Sequence, residues 1–158
     1  MMAEQNTSLI DQSVIQDLVQ RTASLLDQED LDAWIALFHA HATYEIAAYS
    51  TELRRTTVWW KADRPLLERQ LKAIGDHVRD PASRLHVVGP AVVTFENDRA
   101  SAQSAFALYR TAPGGETSLY MVGRYEDVLV RHSNRWLYVE HKVAVQTRVL
   151  EAFTHLPI

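Results

Sequence analysis

The feature that most constrains this chain is a change of hydrophobic period at Asp80-Pro81. Before it, apolar residues recur at helical spacing: Ile10, Val14, Ile15, Leu18, Val19, Thr22, Leu25 and Leu26, then Leu67, Leu71, Ile74 and Val78. Each set lines one stripe of a helix. After it the period is two, over roughly residues 84–95, 99–111, 117–130 and 135–148, which is the pattern of half-buried strands. Helices first and strands later predicts an α+β domain with the helices on one face of a sheet.

The punctuation refines this reading. Ser8 or Asp11 is available to cap the first helix, and a second short helix starts at Asp30 and carries Leu31, Trp34, Ile35 and Phe38. Thr43 to Ile46 reads as a first strand, and the charged stretch from Ser50 to Thr57 as a loop. Asp63 caps a third helix with Pro65 in its first turn, where a missing N–H costs little. The β-runs are joined by Asn97-Asp98, Pro113-Gly114-Gly115 and His132-Ser133-Asn134, all of hairpin length. Strands so joined form an antiparallel meander. A strongly curved, mostly antiparallel sheet wrapped on the N-terminal helix encloses a cone. The 158 residues are expected to form one domain, with the polar residues 1–7 as a flexible terminus.

Composition narrows the function. The chain has no cysteine, so disulfides, thiolate nucleophiles and Cys-ligated iron–sulfur clusters are excluded within it. A net charge of −4 argues against a nucleic-acid partner, which would demand a basic surface. No apolar run is long enough for a membrane span and no secretory leader is visible, so a cytoplasmic location is expected. Of the sixteen basic residues thirteen are Arg, the cation that protein interfaces favour for its planar, weakly hydrated fork.

Motifs in order along the chain carry a resemblance. Asp32-Ala33-Trp34-Ile35-Ala36-Leu37-Phe38, Asp63-Arg64-Pro65-Leu66-Leu67-Glu68-Arg69, Ser83-Arg84-Leu85-His86, Gly123-Arg124-Tyr125-Glu126-Asp127 and Trp136-Leu137 follow one another, and the sequence closes on Leu156-Pro157-Ile158. Together they resemble the small (β) subunit of aromatic-ring-hydroxylating dioxygenases, with the nuclear-transport-factor-2-like (cystatin-like) α+β cone fold. The Ser-Arg-His motif is one residue tighter than in that family, and Gly89-Pro90 stands where the family carries an asparagine. The resemblance implies a non-catalytic subunit that supports an oxygenase of bacterial aromatic hydrocarbon catabolism. It implies no cofactor in this chain, the Rieske [2Fe-2S] cluster and mononuclear iron belonging to a partner catalytic α subunit. It also implies an α3β3 hexamer, or a homotrimer of the chain alone.

Two alternatives stay open. Cone-fold dehydratases and dehydrochlorinases place an Asp at the end of the first helix to orient a His base, and Asp27 and His86 stand at comparable positions, so a free-standing dehydratase or isomerase is one alternative. A small-molecule-binding domain is the other, with Tyr44, Trp59, His86 and Tyr125 as pocket candidates. Trp59, Trp60, Arg64 and Arg84 are the candidates for a subunit interface, because Trp and Arg dominate binding hot spots. Adjacent indoles on an extended segment face opposite ways, so Trp59 and Trp60 cannot both enter one core. His39 and His41 with Glu45 have the makings of a metal site, but are read as a polar turn after the second helix, and no metal is expected. His141 is read as a core residue on an apolar face formed with Leu137, Val139, Val143 and Val145.

Overall fold

The structure, a computed structural model, describes residues 2–76, 79–151 and 156–158. Helix α1 (Met2–Asp27) runs along the inside of a seven-stranded sheet. It starts within the segment expected to be a flexible terminus, where Ala3, Glu4 and Gln5 are good helix formers. Its core face includes Ile15, Val19, Thr22, Ala23 and Leu26, all buried. Two glutamines pin the helix: Gln16 Nε2 donates to Ala91 O and Gln20 Nε2 to Val88 O, each at 3.0 Å. Helix α2 (Leu31–Ile35) is capped by Asp30, whose Oδ1 accepts from Ala33 N, and it buries Trp34 completely. Helix α3 (Arg64–Ala73) is capped by Asp63, which accepts from Leu66 N at 2.9 Å, and Leu67 and Leu71 form its buried stripe. A 3-10 turn, Ile74–Asp76, follows it; Val78, read as part of the stripe, lies outside the described residues.

The strands are β1 (Phe38–Ser50), β2 (Arg55–Asp63), β3 (Ser83–Val88), β4 (Val92–Glu96), β5 (Arg99–Thr111), β6 (Thr117–His132) and β7 (Arg135–Val145). They lie in the order β2-β1-β7-β6-β5-β3, with β4 paired to the far end of β5. All pairs are antiparallel except β1 with β7. One apolar cluster fills the concave side. No described helix is long and apolar enough to cross a membrane.

Four expectations are corrected. Ser50 to Thr57 is not a loop: β1 continues to Ser50, a turn with Arg54 at φ 50° reverses the chain, and β2 starts at Arg55. The first strand starts at Phe38, so His39 and His41 lie on a strand and not in a turn. The run 84–95 is two strands, because Gly89-Pro90 interrupts pairing: β3 pairs with residues 106–111 of β5, and β4 with residues 99–103. Finally, Leu137 and Val139 are not core. Val128 pairs with Glu140 and Leu129 with Tyr138, leaving Val139 as an extra, bulged residue. The bulge switches the inward face, so Trp136 and Tyr138 are buried before it and His141, Val143 and Val145 after it.

Candidate functional site inside the cone

Strand β3 alternates, and its inward positions include Arg84 and His86. Helix α1 ends beside it at Asp27. The Asp27 carboxylate accepts the His86 backbone N–H with both oxygens at 3.0 Å. Its Oδ1 also lies 2.6 Å from His86 Nδ1. One carboxylate therefore anchors the helix end to the strand and fixes the ring's orientation. The His86 side chain is fully buried, and its Nε2 makes no hydrogen bond to another described residue.

A second pair lies deeper. Asp127 and His141 face each other across β6 and β7, with Oδ1 and Nδ1 2.6 Å apart and both side chains buried. Burial lifts the Asp127 carboxyl above its ordinary range, while the adjacent His141 pulls it back. The imidazole is packed by aromatics: Tyr44 stacks on it at 5.7 Å, Tyr138 lies at 5.0 Å and Tyr125 at 5.1 Å. Tyr125 also stacks on Phe106 at 4.5 Å. Burial pushes the Tyr44, Tyr125 and Tyr138 phenols up, so they stay neutral. The expectation that His141 is a core residue holds, but its carboxylate partner escaped the sequence reading. The available signal was an Asp and a His nearly equidistant from the His132-Ser133-Asn134 turn, obscured by the bulge.

The segment Leu156–Ile158 returns into this interior. Leu156 and Ile158 belong to the core cluster, and Ile158 is wholly buried. Ile158 N donates to the Tyr44 hydroxyl at 2.9 Å, and Arg84 Nη1 donates to Pro157 O at 3.1 Å. Burial lowers the Arg84 pKa, opposed by Tyr44, Glu29, Asp27 and Tyr120 around it. Among the pocket candidates, Tyr44, His86 and Tyr125 thus line one interior. Trp59 does not: it is the bulged residue between Ile46↔Trp60 and Ala47↔Val58, and it is exposed.

Nor do the interface candidates form one surface. Trp60 turns inward, donating from Nε1 to Gln70 Oε1 at 2.9 Å and meeting Tyr44 edge-on. Arg64 bonds Phe38 O and Glu68, and Arg84 is engaged inside the cone. Trp59 alone of the four is exposed, on the edge strand β2. His39 lies between His41 and His132 at ring distances of 5.6 and 5.5 Å, and no group of three metal donors is assembled among the described residues. A shallow groove between α2 and α3, lined by Leu31, Asp32, Ile35, Glu68, Leu71 and Lys72, is separate from the Asp–His pairs.

Helices closed on a curved, mostly antiparallel sheet, with an Asp–His pair at the end of the first helix, define a nuclear-transport-factor-2-like α+β cone. The SnoaL-like domain model matches residues 7–142. The chain belongs to that family and, within it, to the small-subunit family of ring-hydroxylating dioxygenases. It is 30% identical over 145 residues to the β subunit of 2-aminobenzenesulfonate 2,3-dioxygenase from Alcaligenes sp., spanning 91% of this chain and 97% of the relative. It is 25% identical to the β subunit of methanesulfonate monooxygenase hydroxylase from Methylosulfonomonas methylovora, over 91% and 85% of the two chains. The fold is shared with a solved β subunit assigned to an aromatic-ring-hydroxylating dioxygenase of Novosphingobium aromaticivorans. That match has a TM-score of 0.82, 22% identity and coverage of 90% and 94%.

Proposed function

We propose that this chain is a non-catalytic β subunit of a bacterial Rieske-type ring-hydroxylating oxygenase, holding its catalytic α subunits in an α3β3 assembly. The Rieske cluster and mononuclear iron reside in the α subunit. Electrons and O2 are handled there, and this chain contributes no ligand to either centre. The observation that carries the reading is the filled cone: the chain's own Leu156–Ile158 occupies the interior beside Tyr44 and Arg84. Tyr44 and Arg84 are thereby engaged by the chain's own segment. The relatives' roles as oxygenase β subunits point the same way. A stable subunit contact of this kind buries more than roughly 2,000 Å². Co-expression with a Rieske-type catalytic subunit should yield one coloured complex containing both chains; separate elution of the two at micromolar concentration would refute the proposal.

The short Asp27–His86 contact favours a second reading, a lyase or isomerase with His86 as base and Asp27 as its orienting group. His86→Ala distinguishes the two. In a dyad enzyme it removes at least about 100-fold of the rate, whereas in a scaffold it leaves the assembled oxygenase turning over and changes only stability.

A further inference from the structure

Leu156–Ile158 sits in the cone as a bound peptide does. The segment lies in no helix or strand, and Pro157 has no N–H to give to a ladder. Side chains hold it instead. The Tyr44 hydroxyl accepts from Ile158 N at 2.9 Å and donates to Ile158 O at 3.4 Å, so one group meets both main-chain atoms of a residue. Arg84 Nη1 donates to Pro157 O at 3.1 Å. The Ile158 side chain is wholly buried in the core cluster. Upstream, residues 146–150 also lie outside helix and strand, and Val149 is 85% exposed. At Arg84 a part-buried cation thus meets a neutral carbonyl, a weaker acceptor than a carboxylate. Two acids in its field are engaged elsewhere: Asp27 accepts from His86 N, and Glu29 accepts from Arg79 Nη1 at 2.6 Å.

We infer that this interior is a ligand site occupied by the chain's own segment: when Leu156–Ile158 lifts out, Tyr44 and Arg84 take a short, branched aliphatic carboxylate. The ligand class follows from what stands there now. Ile158 supplies a branched hydrocarbon, and the carbonyls of Pro157 and Ile158 supply acceptors to a guanidinium and a phenol. A carboxylate offers both acceptors in one group and adds charge to the Arg84 contact. The buried Tyr44 phenol stays neutral and so keeps a proton to donate. The tethered segment holds the site against a dilute free acid, because its effective concentration is high. A free acid fills the site by mass action on the opened form. The site belongs to this chain alone, whichever partner the chain has.

The test follows amide hydrogen exchange by NMR in the full chain, with 3-methylpentanoate, which is isoleucine without its amino group, as the probe. The Ile158 amide should exchange at least about tenfold faster than the amides of β6 and β7, the mark of a local opening. Its rate should rise with added acid at constant ionic strength, about tenfold when the acid stands at about ten times its Kd for the opened site. The amides of β6 and β7 should not change. 2-Methylbutylamine, which carries the same hydrocarbon on a cation, should have no effect. Arg84→Gln should abolish the response to the acid while its strand amides stay protected. If that variant fails to fold, Tyr44→Phe, which removes only the hydroxyl, should weaken the response. An Ile158 amide that exchanges only together with the strands, or as fast as in an unstructured peptide, would overturn the site. So would an amide that ignores the acid up to about 0.1 M, answers the amine equally, or responds unchanged in the variant.

Discussion

Asp80 receives two hydrogen bonds from one guanidinium, Arg110 Nε to Oδ2 at 2.6 Å and Nη2 to Oδ1 at 2.7 Å, and these hold its carboxyl below the usual range. The stability from this pair is fully present above the unfolded carboxyl's pKa of roughly 4 and is lost as pH falls through the lowered folded value. Arg110→Gln should therefore lower stability at neutral pH, modestly for a pair that water still reaches. Denaturant titrations across pH should show the gap between the two proteins closing in acid. Asp127 is different, because no solvent replaces its partner. Asp127→Ala leaves His141 buried without its carboxylate and should cost about 3–5 kcal/mol by chemical denaturation. At this scale the Asp27–His86 pair was legible from its likeness to the Asp and His of cone-fold dehydratases, with Asp27 closing α1 and His86 on the strand after the third helix. Asp127–His141 was not, since a single bulged residue decides which side chains on β7 face inward.

Gly123 shows how strand sequence serves packing. A Cβ there would lie 2.5 Å from Ala144 O and 2.8 Å from the Phe106 ring, which crosses the glycine to stack on Tyr125. Gly123→Ala forces that ring and the β7 backbone apart and should cost about 1–3 kcal/mol, read from the shift in urea midpoint. The strands β5, β6 and β7 were readable because each buries one face and so alternates. Strand β2 was not, because Arg55 to Trp59 is exposed on both faces and carries no alternation to read. The gap between β3 and β4 was written as Gly89-Pro90, yet the apolar run around it concealed the change of pairing partner on β5.

For the whole molecule, Leu156–Ile158 closes the fold by contacts across 114 residues, from Ile158 to Tyr44. Ile158→Ala empties a fully buried site and should cost about 2–5 kcal/mol in a denaturation curve. Limited proteolysis should report the same loosening around the cone. The sequence by itself determined the class of fold, the helix caps, the hairpin turns and the absence of cysteine ligands, because these depend on residues near one another in the chain. Only the tertiary structure decided that β1 runs parallel to β7, that Trp60 and Arg84 turn inward while Trp59 stays out, and that the cone is filled from within. Those outcomes depend on which distant surfaces meet, and a local period of hydrophobicity carries no information about that choice.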